Sequence, residues 1–227
     1  MLGFATCRYD DIDAGFMVTA SHNPKEYNGV KCLDHSGKPY NLKEHGTKLA
    51  AAMTHMPPVE AHSLTEKNSE LRDIRDDFAE HVLSFLLERD FSALKVVVDA
   101  GNGAAGAFIE TLQEKTRFEL IPLFLEPDGN FPNHHPNPII AKNREDARVK
   151  LLETHADIAF IFDGDADRIM LLDELGEVVS SGIIASIIAK QLLHVHPGSG
   201  FVGNAVVSHI FHDTVQEGGG TYYREKV

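Results

Sequence analysis

Cysteine is scarce in this chain, and long apolar runs are missing. Only Cys7 and Cys32 occur among 227 residues, so at most one disulfide can form and a buried apolar core must stabilise the fold. The longest apolar runs fall far short of a membrane-spanning helix, and residues 1–8 do not combine a basic segment with a following apolar one. We therefore expect no membrane contact and a cytoplasmic location.

Positive charge is also in short supply. Lysine and arginine number 21 against 34 aspartates and glutamates, which gives a formal net charge of −13 at pH 7. This charge repels nucleic acid and anionic membranes at long range. We therefore expect no nucleic-acid partner, and an anionic ligand would need a local cationic site.

The chain from Leu94 onward has the pattern of an α/β protein. Short apolar runs rich in β-branched residues alternate with helical periods, as in parallel strands joined by crossover helices. Strands are predicted at residues 95–99, 118–123, 157–162, 169–172, 200–207 and from 221, and helices at 103–115, 143–155, 183–193 and 209–217.

The first ninety residues carry weaker signals. Residues 15–18 predict a strand. Apolar residues at three- and four-residue intervals over residues 71–86 predict an amphipathic helix, with Asn68 or Ser69 as its cap, that bridges two domains. Residues 53–63, which include two adjacent prolines and show little periodicity, predict a linker or exposed loop.

The sharpest chemical signal is an acidic loop that follows a buried strand, FIFDGDADR at residues 160–168. Asp163, Asp165 and Asp167 alternate along this loop, and oxygen ligands at that spacing suit Mg²⁺. The end of a parallel strand is also where α/β proteins place their sites. An acidic turn can instead merely solvate a strand end, but three alternating carboxylates beside Arg168 favour metal binding.

A second signal is the loop TASHNP at residues 19–24. Ser21 lies just past a predicted strand, where its hydroxyl can act as a nucleophile or phosphoryl carrier. His22 and Lys31 are candidate proton carriers or phosphate partners. The same letters are also common in ordinary turns, so both interpretations stay open at this level.

Two further motifs have simpler interpretations. GNGAAG at residues 101–106 has the spacing of a dinucleotide fingerprint, but Asp99 would crowd a pyrophosphate, so a tight strand-to-helix turn is favoured. His134 and His135 suggest zinc, yet they lie between prolines in residues 132–138 and should point to opposite sides of an extended chain. A rigid, proline-fixed loop is favoured there.

Five motifs together resemble those of the α-D-phosphohexomutase family in order and spacing. They are TASHNP at 19–24, NGVK at 28–31, VDAGNG at 98–103, FPNHHPNP at 131–138 and DGDADR at 163–168. Thr19 and Ala166 are more similar to the bacterial phosphomannomutase/phosphoglucomutase branch than to the phosphoglucosamine mutase branch, which usually has Ser and Gly there.

This resemblance implies a reaction and a set of site residues. A phosphoserine would pass its phosphoryl group to the 1- or 6-hydroxyl of a hexose phosphate. The resulting hexose bisphosphate would reverse its orientation in the site and return its opposite phosphate to the serine. Mg²⁺ would be the cofactor, and Lys31 the general acid/base. The implied catalytic residues are Ser21, Lys31 and His22, the substrate or phosphate ligands Asn23 and Arg168, and the metal ligands Ser21, Asp163, Asp165 and Asp167.

The resemblance also implies consecutive α/β domains with mixed, largely parallel sheets flanked by helices. Residues 1–68 would be a partial first domain with the phosphoserine loop, 69–177 a second domain with the metal loop, and 178–227 the start of a truncated third. Family members have four domains. We therefore expect a fragment without the N-terminal part of domain one, most of domain three and all of domain four, inactive as a mutase on its own.

Two other functions remain open. FDGD at residues 162–165 also resembles the start of the haloacid-dehalogenase-like phosphatases, in which Asp163 would be the nucleophile. A non-catalytic cation-binding module would use the acidic loop without any phosphoryl transfer.

Overall fold

Three separate sheets organise the computed structural model, which describes residues 1–40, 42–56, 69–86 and 90–226. The helices are α1 (Leu2–Arg8), α2 (Leu42–His55), α3 (Arg75–Leu83), α4 (Gly106–Thr116), α5 (Glu145–Thr154), α6 (Ser181–Val195) and α7 (His209–Glu217). The strands are β1 (Ala14–Val18), β2 (Val30–Asp34), β3 (Lys95–Asp99), β4 (Glu119–Leu123), β5 (Ile158–Phe162), β6 (Ile169–Leu172), β7 (Val178–Val179), β8 (Gly200–Asn204) and β9 (Thr221–Glu225).

The central sheet has five strands in the order β4-β3-β5-β6-β7. β3 pairs in parallel with β4 and with β5, whereas β6 and β7 continue the sheet in antiparallel fashion. Both faces of β3 are covered, because Val97 joins a buried cluster with Leu151 of α5 while Val96 and Val98 join another with Ile109 of α4. This two-sided burial explains the unbroken valine run of a parallel central strand.

The mixed α/β architecture predicted from the sequence is confirmed. Strands 95–99 and 169–172 and helix 209–217 lie where they were predicted, and most other elements beyond residue 94 shift by one to three residues. The strand predicted at 200–207 ends at Asn204. The antiparallel β6 and β7 make the central sheet less parallel than expected.

The helix predicted over residues 71–86 is shorter than expected. α3 begins at Arg75, because an Asp73 carboxylate oxygen accepts the Arg75 N–H at 3.0 Å and holds a turn there. Leu71 and Phe85, counted in the apolar period, are 100% and 74% exposed. Ser69 therefore does not cap the helix, and Asn68 lies outside the described residues.

The sequence pattern missed most of the first sheet and its helices. β1 pairs with β2 in antiparallel register from Ala14 opposite Asp34 to Val18 opposite Val30. α1 and α2 were not predicted, and α2 occupies the start of the expected linker at 53–63, of which residues 57–63 lie outside the described residues.

Helix α3 lies between α1, beside the first sheet, and α4, which packs on the central sheet. The Phe78 ring is 5.4 Å from the Phe4 ring of α1 and 4.8 Å from the Phe108 ring of α4, measured between centroids.

A third, separate sheet pairs β8 with β9 in parallel, and Ala189, Phe211 and Val215 form its core with α6 and α7. Over the ranges described, none of the helices is both long and apolar enough to span a bilayer.

A buried ion pair holds the proline-rich loop against the end of β3. The Asp99 side chain is fully buried, and its oxygens lie 3.0 and 3.2 Å from Nε2 of His134, which is also nearly buried. Burial alone would lower the pKa of His134, but the hydrogen bond to Asp99 and its negative charge outweigh burial and raise the pKa.

This pair gives the fold a predictable pH dependence. Because the folded pKa of His134 is raised, its stabilisation is fully present below the unfolded value of about 6.5 and is lost as the pH rises through the folded value. We expect His134→Gln to lower the free energy of unfolding more at about pH 5.5 than at about pH 8.5, as measured by urea denaturation. His194→Gln, at an exposed position of α6, is the control, and an equal loss at both pH values for His134→Gln would contradict the assignment.

Candidate functional site

Two loops from different sheets meet at one point. Ser21, just past β1, donates a hydrogen bond from its hydroxyl to Oδ2 of Asp163, just past β5, at 3.0 Å. The Arg168 guanidinium in turn donates to the Ser21 hydroxyl oxygen at 2.7 Å. The structure thus brings together the serine and the acidic loop, which the sequence separates by more than 140 residues.

The backbones of these loops touch, which requires glycine. A Cβ at Gly164 would lie 2.6 Å from the Ser21 carbonyl oxygen. On its other side, the Gly164 carbonyl accepts a hydrogen bond from the Ala104 N–H at 3.0 Å. A Cβ at Gly103 would lie 2.6 Å from that same carbonyl oxygen. The glycine-rich turn after β3 is therefore the support on which the acidic loop packs.

Three carboxylates form the centre of the site. Asp163, Asp165 and Asp167 each offer an oxygen, and these oxygens lie within 4.8 Å of one another. The side chains are 0%, 4% and 52% exposed in that order, so the cluster runs from the interior to the surface. Oδ1 of Asp163 accepts the N–H groups of Asp167 and Arg168, each at 3.1 Å, which fixes the curvature of the loop.

Two cationic side chains face this negative charge. Nζ of Lys31, on β2, lies 2.5 Å from Oδ2 of Asp165 and 2.6 Å from Oδ2 of Asp167. Nε of Arg168 lies 3.4 Å from Oδ2 of Asp163 and 3.5 Å from Oδ1 of Asp167. The first sheet thus supplies part of the counter-charge for a loop of the central sheet.

Burial, charge and hydrogen bonds shift the pKa values of Asp163, Asp167 and Lys31 in different directions. Burial raises the pKa of Asp163 and outweighs its hydrogen bonds with Arg168 and Ser21. The hydrogen bond from Lys31 lowers the pKa of Asp167. Burial opposes the charged form of Lys31, but its hydrogen bonds with the two carboxylates outweigh this and raise its pKa.

The carboxylates fit a hard divalent cation. Oδ1 of Asp165 is buried and has no hydrogen-bond partner within the described part of the chain. A buried carboxylate oxygen without a partner is costly, unless a ligand satisfies it. Oxygen-only donor sets of this kind suit Mg²⁺ or Ca²⁺ rather than softer metals.

Of the two remaining predicted site residues, the side chain of His22 contacts the cluster, whereas that of Asn23 does not bond to it in the described structure. Nδ1 of His22 lies 3.4 Å from the Ser21 hydroxyl and also contacts the Arg168 guanidinium. Since a guanidinium only donates, Nδ1 acts as an acceptor in that contact. Asn23 donates its backbone N–H to the Ala20 carbonyl at 3.1 Å, and in the described ranges its side chain makes none of the cluster's hydrogen bonds.

Sequence reasoning assigned no site role to Thr19. Its hydroxyl accepts the Ser21 N–H at 2.8 Å and donates to Oδ2 of Asp165 at 3.1 Å. The first contact has a local signal, because threonine often bonds to the backbone two residues on. The second joins residues 146 positions apart and has no signal in the sequence.

Two family models match the chain. Residues 1–56 match "Phosphoglucomutase/phosphomannomutase, alpha/beta/alpha domain I", and residues 76–176 match domain II of the same description. The matched segments contain the serine loop and the acidic loop, respectively.

Individual proteins agree with these models. The chain is 32% identical over 219 residues to a phosphomannomutase of Escherichia coli strain K12, covering 92% of this chain and 47% of that protein. It is 36% identical over 213 residues to a protein named phosphohexose mutases from Xanthomonas campestris pv. campestris strain B100, covering 91% of this chain and 46% of that one. A crystal structure of a phosphoglucomutase/phosphomannomutase family protein from Burkholderia thailandensis superposes with a TM-score of 0.81 at 32% identity, covering 95% of this chain and 45% of that chain. The chain thus spans about half the length of these relatives.

The contact between the two loops can be tested through Gly164. We expect Gly164→Ala to lower the free energy of unfolding by about 1–3 kcal/mol, the usual effect of overpacking, because the new methyl group would clash with the Ser21 carbonyl. Gly129→Ala is the matched control, since no atom of the described residues lies within 4 Å of a Cβ there. Urea denaturation of both variants measures the difference. Equal stability of the two variants would show that the loops do not touch as described.

Proposed function

The chain belongs to the phosphoglucomutase/phosphomannomutase family, and from this premise we propose that its protein interconverts hexose 1-phosphate and hexose 6-phosphate, of mannose, glucose or both. The proposed route uses a phosphoserine at Ser21 and a hexose bisphosphate intermediate. The observation that carries it is the placement of the Ser21 hydroxyl between Asp163 and the Arg168 guanidinium. A hydroxyl beside clustered carboxylates and a fixed cation suits phosphoryl transfer better than a structural turn.

Ser21 is the proposed phosphoryl carrier. A phosphoryl group there adds about −1.5 to −2 charge at neutral pH, beside carboxylates that are already negative. Arg168 is held at hydrogen-bond distance to neutralise part of this charge. When bound, Mg²⁺ would supply the rest by neutralising the phosphate oxygens, with Asp163, Asp165, Asp167 and a Ser21 phosphate oxygen as its ligands.

Lys31 is the proposed general acid/base. In each transfer, a sugar hydroxyl loses a proton as its oxygen bonds to phosphorus, and the oxygen that leaves phosphorus gains one. The raised pKa of Lys31 keeps it protonated at neutral pH, which suits the acid half of this exchange. His22, beside both Ser21 and Arg168, is proposed to take part in catalysis, and Asn23 to contact the substrate or its phosphate.

Several broader expectations accompany this proposal. The substrate partners are hexose phosphate and hexose bisphosphate, and a cytoplasmic location stays a prediction. We propose domain limits of 1–68, 69–177 and 178–227. The three separate sheets agree with this division except at the second limit, because β7 (Val178–Val179) pairs with β6 and belongs to the central sheet.

The phosphatase alternative is weaker on geometry. A nucleophilic Asp163 would need a free, accessible oxygen, yet its side chain is fully buried. Oδ1 already accepts two backbone N–H groups, and Oδ2 accepts the Ser21 hydroxyl. These contacts count against Asp163 as a nucleophile and leave Ser21 as the proposed group that accepts phosphate.

The test is the site and chemistry of phosphorylation. We expect intact-mass and peptide mass spectrometry to find an acid-stable phosphoryl group on Ser21 after the complete protein is incubated with hexose 1,6-bisphosphate, and none on Ser21→Ala. Ser36→Ala, at an exposed serine, should be phosphorylated like the wild type. In the complete protein, Ser21→Ala should reduce mutase turnover to background, because the carrier that holds the group between the two transfers is gone.

Other outcomes would favour the alternatives. An acid-labile acyl phosphate on Asp163 would indicate a phosphatase mechanism. The absence of any phosphoryl group, with wild-type mutase turnover in Ser21→Ala, would refute the phosphoserine role.

A further inference from the structure

We propose that Thr19 is a positioning residue that couples the carrier serine to the metal-binding carboxylates through a single hydroxyl group. This inference rests on the proposed function, because it concerns how Ser21 and Asp165 are held for phosphoryl transfer. Thr19 itself is fixed by the first sheet, since its backbone N–H donates to the Gly29 carbonyl at 2.9 Å. Its hydroxyl then reaches across to the acidic loop of the central sheet.

The hydrogen-bond directions of this hydroxyl are determined by its partners. The Ser21 N–H can only donate, so the Thr19 oxygen accepts from it at 2.8 Å. On the other side, the Thr19 hydroxyl donates its one proton to the carboxylate oxygen Oδ2 of Asp165 at 3.1 Å. Thr19 therefore uses its single donor on Asp165 of the acidic loop and one acceptor position on Ser21 of the serine loop. An apolar side chain offers neither.

The bond to Asp165 helps to leave one of its two oxygens without a partner. Oδ2 receives both the Thr19 hydroxyl and the Lys31 ammonium, while Oδ1 stays buried and without a partner in the described structure. The side chain is only 4% exposed, so solvent does little to orient it. Two bonds to one oxygen thus leave the other available for the metal. Groups that orient a metal ligand from outside the coordination shell commonly change metal affinity about 10–100-fold when they are removed.

The bond to Ser21 stabilises an unfavourable backbone conformation. Ser21 has φ 55, in the left-handed region that residues with a Cβ seldom adopt. The hydrogen bond from its N–H to Thr19 holds this conformation, in which the Ser21 hydroxyl reaches Asp163. One hydroxyl therefore sets the geometry of the carrier and of a metal ligand together.

Thr19→Val and Thr19→Ser separate the hydroxyl from the shape of the side chain. Valine keeps the branched shape but has no hydroxyl, whereas serine keeps the hydroxyl. We expect the dissociation constant for Mg²⁺, measured by isothermal titration calorimetry on the purified chain, to rise about 10–100-fold in Thr19→Val and to stay within about threefold of wild type in Thr19→Ser. The line shape of bound Mn²⁺ in electron paramagnetic resonance should change in Thr19→Val alone.

The controls separate the possible failures. Melting temperatures in EDTA report whether each variant folds, and Thr19→Ala replaces Thr19→Val if the latter does not. Wild-type Mg²⁺ affinity in a folded variant without the hydroxyl would overturn the role of Thr19 and leave the proposed function intact. Equal weakening by Thr19→Ser and Thr19→Val would also overturn it, because the hydroxyl would then be irrelevant. A wild-type chain that binds no Mg²⁺ would overturn the metal centre of the proposed function together with this inference.

Discussion

The crowding of three carboxylates on one short loop is the constraint on which the rest of the site depends. Asp163, Asp165 and Asp167 bring oxygens within 4.8 Å of one another, and two like charges about 4 Å apart repel by about 1 kcal/mol in water and about 4 kcal/mol near a protein surface. The loop itself supplies one cation, Arg168, and the other, Lys31, comes from a different sheet. The need for this second cation links the first sheet to the central one and brings the serine loop with it.

The two loops also approach each other closely, which places the Ser21 hydroxyl beside the carboxylates. Gly164 lets the backbone of the acidic loop touch the Ser21 carbonyl, and Gly103 lets the turn after β3 pack against the Gly164 carbonyl. A buried proline, Pro136, packs against Gly164 and Gly101. Each contact involves backbone or a rigid ring, so the hydroxyl is held at the carboxylates with little freedom. Such preorganisation is what phosphoryl transfer requires, since positioning and charge stabilisation account for most of its catalysis.

The sequence predicted the parts of this structure whose signals are local. The valine run of β3 and the alternating carboxylates after β5 predicted a buried strand and a cluster of carboxylates, because burial on two faces and regular spacing leave direct marks in neighbouring letters. Contacts between distant residues leave no such mark. The pairing of His134 with Asp99 and the bond of Thr19 to Asp165 join residues 35 and 146 positions apart, and neither was predicted. The helix over residues 71–86 was predicted too long because its apolar period begins before the turn at Asp73 and continues past Leu83, where α3 ends.

The shared centre of serine and cation is tested most directly by the position of a divalent cation in a crystal of the chain grown with Mn²⁺, located by anomalous scattering at the manganese absorption edge. We expect one strong peak about 2.1 Å, the distance typical of Mg²⁺, from an oxygen of each of Asp163, Asp165 and Asp167, with the Ser21 hydroxyl or its phosphate as a further ligand. Oδ1 should be the coordinating oxygen of Asp165. A peak bound only by the exposed Asp167, or one with Ser21 remote from the metal, would contradict the claim that carrier and cation share one centre.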